Sequence, residues 1–160
     1  MDKYYLKSLV EDNELIFENK NMKNIFSSNE SILFSNKITK IRKNTEEDRI
    51  IVITDLFLYN LRNKKFSNKI DLRNITGVTV SKKSDEFIVH HCEIEDDFHY
   101  ISNKRNFILE ILARVFYFQT KRKIDLSIID KECLDDYVTQ KVIKKAIKEK
   151  QNLTQIFLWI

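Results

Sequence analysis

Seven short segments rich in β-branched and aromatic residues follow one another between residues 31 and 101, and the connectors between them are short. Connectors such as NTEED, KKSD and EIEDD leave no room for the crossover helix that joins two parallel strands. The predicted strands must therefore be antiparallel, in a meander that closes into a small barrel or sandwich. The segments are 32–43, 49–54, 56–61, 69–72, 76–81, 86–92 and 98–101.

A helical pattern replaces the strand pattern after residue 102. Over 103–120, apolar residues recur at spacings of three and four and form one wide stripe: Phe107, Ile108, Ile111, Leu112, Val115 and Phe118. A second helix is predicted over about 130–150, with lysines outside and an inner seam of Leu134, Val138, Val142 and Ala146. The predicted fold class is thus mainly β with C-terminal α, a seven-stranded antiparallel barrel or sandwich capped by a helix and followed by a second helix.

The chain has no proline and one glycine in 160 residues, where average usage predicts about eight and about eleven. Lysine, asparagine, isoleucine and phenylalanine are abundant, as AT-rich coding DNA would produce. Because that bias adds lysine by itself, the net charge of +4 is weak evidence for an anionic partner. The one glycine, Gly77, predicts a bulge or tight bend at which a Cβ would clash.

Nothing in the sequence indicates catalysis or a bound metal. A Gly-rich phosphate loop is impossible with one glycine, and no Gly-x-Ser-x-Gly or His-Glu-x-x-His motif occurs. His90, His91, Cys92 and His99 come closest to a metal site, but a strand points at most two of the first three the same way. We therefore expect a protein that is not an enzyme and that carries no cofactor and no metal.

No run of about eighteen apolar residues is present, and the first residues are too acidic for a secretory signal. Cys92 and Cys133 lack CxxC spacing, which predicts reduced thiols rather than a disulfide or a zinc site. A cytoplasmic protein is expected.

Three stretches, ILFSNKITKIRKN, RIIVITDLFLYNL and IDLRNITGVTVSKKSDEFIVHH, together resemble the tail homology 1 domain of class I myosins. The shared features are a basic first strand, an Arg that opens the second, a Thr-Asp turn followed by a Tyr, and a Leu-x-x-Ile-x-Gly-Val-x-Val-Ser run. The resemblance covers about residues 30–125 and implies a pleckstrin-homology-like fold. No nucleotide loop or light-chain-binding helix occurs in the sequence, so we expect a stand-alone domain of this type without a motor.

The resemblance implies binding of anionic phospholipids, particularly phosphoinositides, through basic residues of the first two strands. The matching positions are Lys40, Arg42 and Arg49. Lys40 and Arg42 share a strand face, and Arg49 across the hairpin would complete a cage for a phosphate. The connector NTEED brings three carboxylates next to that cage, so a second interpretation stays open in which the cations pair with an acidic loop on a solvated hairpin.

The C-terminal segment joins a basic helix to an apolar run formed by Ile156, Phe157, Leu158, Trp159 and Ile160. In one interpretation the lysines approach an anionic leaflet and the tail inserts at the interface. In the other, which the length of the run favours slightly, the tail docks on a partner protein. Nucleic acid is not expected, because aromatic residues are not interleaved with the basic ones.

These patterns divide the chain into an N-terminal extension with short helical segments over 1–30, a pleckstrin-homology-like domain over 31–122 and a C-terminal extension over 123–160. The leading hypothesis is a non-catalytic adaptor built into a cytoskeletal assembly of other protein subunits, with a cilium as one candidate setting. The alternative is a peripheral membrane protein that binds phosphoinositides through the first hairpin.

Overall fold

Nine strands form one continuous sheet in the computed structural model, which describes residues 11–12, 22–43 and 45–157. The strands are β1 Glu11–Asp12, β2 Ile32–Arg42, β3 Thr45–Thr54, β4 Phe57–Arg62, β5 Lys65–Asp71, β6 Ile75–Ser81, β7 Glu86–His91, β8 Phe98–Ile101 and β9 Leu126–Ile129. The helices are α1 Arg105–Thr120 and α2 Lys141–Phe157. Most of the predicted N-terminal helical extension lies outside the described residues.

The strand order is β5-β4-β3-β2-β8-β7-β6-β9, with β1 paired in parallel to the first part of β2. β2 pairs with β3 along almost all of its length, and its other edge pairs with β8 at Thr39 and Lys40. The one long strand therefore belongs to both layers. Because β5 and β9 end the order without pairing to each other, the sheet is an open sandwich rather than a closed barrel. The predicted fold class and all seven predicted strands are confirmed.

The second half of β3 is buried on both faces, which explains its nearly unbroken β-branched sequence. Ile51 and Ile53 face the main core between the layers. Ile50 and Val52 face the opposite way and pack in a second cluster with Met22, which comes from the segment before β2. Residues near the N-terminus thus cover the outer face of the first layer.

Helix α1 lies over the main core, as its apolar stripe predicted. Its buried side chains are Ile108, Ile111, Leu112, Val115 and Phe116. Phe107, predicted to be inside, is 36% exposed. The helix ends at Thr120, and the next residue, Lys121, adopts a left-handed backbone and donates its N–H to the Tyr117 carbonyl at 2.8 Å.

Gly77 marks a β-bulge, as predicted. The register between β6 and β7 shifts between Ile75 and Gly77. A Cβ at Gly77 would lie 3.3 Å from the carbonyl oxygen of Asp125, and the same oxygen accepts a hydrogen bond from the Val78 N–H at 2.8 Å. The missing side chain therefore lets the chain approach β6 and enter β9.

Residues 130–140 were predicted wrongly as the start of the second helix, and the strand that precedes them was not predicted. Leu126–Ile129 forms β9, which pairs in parallel with the whole second half of β6. A short 3-10 turn follows at Asp135–Tyr137. The segment remains extended because β6 offers it a free edge for backbone hydrogen bonds.

The second helix exists, but it begins at Lys141. The predicted inner seam does not form: Leu134 is buried beside the 3-10 turn, whereas Val142 is 68% exposed. The predicted apolar tail is only partly covered by the structure, since α2 ends at Phe157 and residues 158–160 lie outside the described part of the chain.

We predict that Gly77→Ala lowers the free energy of unfolding and that Gly77→Val lowers it further, by about 1 to 3 kcal/mol, because the new side chain pushes against the backbone at Asp125. Urea denaturation measures the change. Thr76→Val at the neighbouring, exposed position is the control and should change stability little. Equal stability of the wild type and Gly77→Val would contradict the close approach.

Candidate anion-binding end of the sandwich

Two hairpins turn at the same end of the first layer. β2 and β4 run in the same direction, so the β2–β3 and β4–β5 turns both lie where these strands finish. The first turn contains Lys43 with φ of 32°, and the second contains Asn63 and Lys64, with φ of 48° and 59°. Two consecutive left-handed residues are typical of the tight two-residue hairpin. Pairing of β3 with β4 begins only at Ile50, so the β2–β3 hairpin projects beyond its neighbour.

These two hairpins expose five cations, which we call the basic end: Arg42, Lys43, Arg62, Lys64 and Lys65. None of the five forms an ion pair with a carboxylate in the described part of the chain. The first hairpin was predicted to be a binding site, whereas the second was predicted only as two neighbouring strands. The signal was available, because Asn63 followed by Lys64 between two apolar strands favours a tight turn.

The predicted cations Lys40, Arg42 and Arg49 share one face of the β2–β3 hairpin. The cross-strand pairs are Ile38 with Arg49 and Arg42 with Thr45, and Lys40 stands between them on the same face. The predicted register is therefore correct.

Of the three cations, only Arg42 reaches solvent. Lys40 is 4% exposed and Arg49 is 5% exposed. The Lys40 amine lies 5.0 Å from the centre of the Phe98 ring, and the Arg49 guanidinium donates to the carboxylate of Glu47. Two of the expected phosphate ligands are thus internal groups, and Arg49 already has an anionic partner.

The expectation of an acidic loop between the two strands is wrong. Glu46, Glu47 and Asp48 belong to β3 and pair with β2. Glu47 points to the same face as Lys40 and Arg49, while its two neighbours point to the other face. The predicted pairing of the cations with this acidic segment therefore occurs at Arg49 and does not involve a loop.

Burial, together with the nearby charges of Arg42 and Arg49, lowers the pKa of Lys40 to about 8. Next to these groups, the Arg49 Nε and the Tyr100 hydroxyl are buried and have no hydrogen-bond partner within the described residues. Burial also raises the pKa of Tyr100. The buried charge of Lys40 and these two unsatisfied polar atoms lower the stability of the fold. Destabilising groups of this kind are typical of binding sites.

A cleft of about 780 Å³ opens between the β2–β3 hairpin and the loop that joins β7 to β8. One wall carries Lys40, Arg42 and Lys43. The opposite wall carries carboxylates, with Asp96 and Asp97 among them. The electrostatic potential in the cleft therefore depends on whether other groups neutralise the carboxylates of the acidic wall.

Helix α2 compensates that acidic wall. Burial opposes the ionisation of Asp97, but hydrogen bonds from His90 at 2.7 Å, Lys144 at 2.5 Å and the Thr139 N–H at 3.0 Å outweigh it and lower its pKa to about 2. Asp96 accepts a hydrogen bond of 2.6 Å from the Lys141 N–H. Both carboxylates of the wall therefore accept hydrogen bonds, and Asp97 also forms an ion pair with Lys144.

The three histidines that came closest to a metal site each have different partners. His90 lies between Thr79 and Asp97, while His99 contacts Glu86 at 2.8 Å. The His91 Nε2 lies 3.1 Å from the Asp96 carbonyl. Within the described ranges, no group of three His, Cys, Asp or Glu side chains is arranged to hold a metal ion. No helix there is long and apolar enough to span a bilayer.

An open sandwich of two mainly antiparallel layers with a helix over the core and three loops around one end defines a pleckstrin-homology-like module. Solved structures share this fold. The hSac2 domain of the human phosphoinositide phosphatase Sac2 aligns with a TM-score of 0.54 at 13% identity, over 78% of this chain and 93% of that one. A DH/PH fragment of PDZRHOGEF, from a complex with human RhoA, aligns with a TM-score of 0.51 at 14% identity, over 72% of this chain and 39% of that one. These likenesses concern the fold alone.

The chain belongs to the family described as "unconventional myosin tail, actin- and lipid-binding", whose model matches residues 5–156. It is 39% identical over 70 residues to unconventional myosin-Id of Danio rerio, which covers 41% of this chain and 7% of that protein. It is 31% identical over 71 residues to unconventional myosin-Ig of Mus musculus, covering 42% and 7%. The matched region is thus a small part of these relatives, and the resemblance to the myosin tail homology 1 domain is confirmed.

We predict that Lys40→Met stabilises the protein by about 1 to 3 kcal/mol at pH 7, because it removes a buried ammonium. The folded pKa of Lys40, about 8, lies below the ordinary lysine value of 10.5, so the unfolded chain binds more protons between pH 8 and pH 10.5. The wild type therefore gains stability as pH rises through this window, and the advantage of the variant shrinks.

Urea denaturation at pH 7 and pH 10 measures both effects. The control is Lys37→Met, which changes an exposed lysine of the same strand and should show neither. An advantage of Lys40→Met that is the same at both pH values would show that charge burial is not its cause.

Proposed function

We propose that this protein is a non-catalytic binding module that docks on anionic phospholipid headgroups through its basic end. The observation that carries the proposal is the set of five exposed cations on two adjacent hairpins, none paired with a carboxylate in the described ranges. Some cations elsewhere, such as Arg73 and Lys144, have carboxylate partners. Each unpaired lysine or arginine near an anionic leaflet contributes roughly 1 kcal/mol.

Lys40 extends the basic end into the cleft. Its lowered pKa means that the fold holds the charged amine at a cost. An anionic headgroup in the cleft would favour the charged form and would offset part of that cost. This agrees with the family's description as lipid-binding.

Arg49 has a supporting role in this proposal. Its guanidinium is occupied by Glu47, and it is almost wholly buried. We therefore assign direct headgroup contact to Arg42 and Lys43, with Lys40 behind them. Exposed Phe66, which follows Lys65 in the second hairpin, adds an aromatic side chain that suits the interface of a bilayer.

A second candidate function is the predicted adaptor in a cytoskeletal assembly. Strand β9 ends the sheet and exposes Leu126 and Ile128, which are 58% and 64% accessible. A free strand edge with apolar side chains favours the addition of a strand from a partner protein. The family's description names actin as well as lipid, so filamentous actin is the first partner to test. The ciliary setting and the partner-binding tail at residues 156–160 remain predictions from the sequence.

We predict that Arg42→Glu/Lys43→Glu weakens binding to phosphoinositide-containing vesicles by at least about 30-fold, since two favourable charges become unfavourable. Co-sedimentation with vesicles of phosphatidylcholine alone, with phosphatidylserine and with phosphoinositide separates general from headgroup-selective attraction. Lys82→Glu/Lys83→Glu makes the same change of charge in the β6–β7 turn at the opposite end. Equal losses in the two variants, or no binding by the wild type, would contradict the proposal.

A further inference from the structure

Helix α2 leaves most of its surface in solvent over residues 141–152, the part whose side chains are described. From Val142 to Asn152, every residue except the half-buried Lys144 is exposed. The apolar residues Ile143 and Ile147 are 49% and 50% accessible, and Val142 is the most exposed of the three. Because a helix gains most of its stability from packing of its apolar side, a helix so little packed on its own domain is stabilised when a membrane or another molecule covers that side.

The exposed apolar residues share one side of the helix. At about 100° per residue, Val142, Ile143, Ala146 and Ile147 form a continuous patch, which we call the apolar stripe. Lys141, Lys144, Lys145 and Lys148 fall on the opposite side. α2 is thus a basic amphipathic helix whose apolar side is open.

Two contacts orient this helix. The Lys144 amine donates to the Asp97 carboxylate at 2.5 Å, and the Lys141 amine donates to Glu95 at 3.0 Å. These contacts hold the lysine side of α2 against the loop between β7 and β8. The apolar stripe therefore faces away from the domain.

The same loop forms the acidic wall of the cleft, so α2 begins beside the basic end. Gln140, directly before the helix, lines the cleft with Arg42 and Lys43. A surface that contacts the projecting β2–β3 hairpin therefore also meets the first turns of α2.

We propose that α2 lies in the headgroup region of the same anionic bilayer, with the apolar stripe inserted among the lipids. The inference rests on the proposed function of the basic end. An in-plane helix requires an apolar face, a lysine-rich polar face and a low overall hydrophobicity, and α2 has all three. The exposed cations of the polar side, Lys145 and Lys148, complement an anionic leaflet better than a neutral one, which favours a bilayer over an uncharged protein groove.

The test compares three proteins: wild type, Ile143→Ser/Ile147→Ser, and Leu126→Ser/Ile128→Ser as the matched control at exposed apolar positions of β9. Vesicles contain phosphatidylcholine with phosphatidylserine and phosphoinositide. The α2 variant is expected to bind about 10- to 30-fold more weakly, and its remaining binding should disappear in about 0.5 M salt, since only charge attraction is left. The wild type and the β9 variant should keep a salt-resistant fraction.

A second measurement locates the helix directly. In a Trp159→Phe background, Ile147→Trp places the sole indole on the apolar stripe. Its emission should shift to shorter wavelength on anionic vesicles and should be quenched by brominated acyl chains. Vesicle binding without that quenching overturns the inference.

The outcomes separate the two proposals. If the Arg42→Glu/Lys43→Glu protein loses binding while the α2 variant binds like wild type, the basic end is a lipid site and the inference about α2 is wrong. If the wild type ignores anionic vesicles, both fail. If the free wild type is a dimer and Ile143→Ser/Ile147→Ser makes it a monomer, the apolar stripe is a protein interface and the inference is overturned.

Discussion

The length of β2 determines how the two layers of the sandwich join. It has 11 residues, pairs with β3 on one edge and meets β1 and β8 in turn on the other. Strand β8 therefore joins the second layer to the far end of β2, near Lys40. Because β2 must continue past this junction to reach its turn, the first hairpin projects as the most prominent feature of the basic end. The fold thus creates the site by the way it joins its two layers.

Charge compensation decides what the cleft can bind. The hairpins contribute unpaired cations, while the loop between β7 and β8 contributes carboxylates. Lys141 and Lys144 of α2 contact that loop, and their amines donate hydrogen bonds to the carboxylates of Glu95 and Asp97. Without α2, the acidic wall would repel the same anionic headgroups that the hairpins attract. The attachment of α2 therefore serves both the electrostatics of the cleft and the orientation of the helix.

Local patterns predicted the elements whose partners are near in sequence. The meander from β2 to β8 follows from short connectors, and α1 follows from its period of apolar residues. Strand β9 was missed because its four residues gain their structure from β6, which lies far back in the chain. Residues 130–140 were misassigned because Leu134 and Val138 repeat at helical spacing, whereas Leu134 is fixed by burial and by a hydrogen bond of 2.8 Å from its N–H to Glu86. Tertiary contacts outweighed the local period there.

The same limit applies to the site. The pairing of the two strands predicted that Lys40, Arg42 and Arg49 share a face. It could not predict how deeply each side chain is buried. Lys40 and Arg49 are buried because β8 and its aromatic residues pack against the end of β2, an arrangement that depends on the joining of the layers. The predicted acidic connector belongs to β3 because the chain already turns at Lys43, which has a left-handed backbone.

The most direct test of the account is hydrogen–deuterium exchange of the intact protein with and without phosphoinositide-containing vesicles. Added vesicles are predicted to slow exchange in three places: the β2–β3 turn, the β4–β5 turn and the first turns of α2. Exchange in β9 and in the β6–β7 turn should stay unchanged. Protection confined to β9, or none at all in the two hairpins, would contradict the claim that the basic end is the surface that meets the membrane.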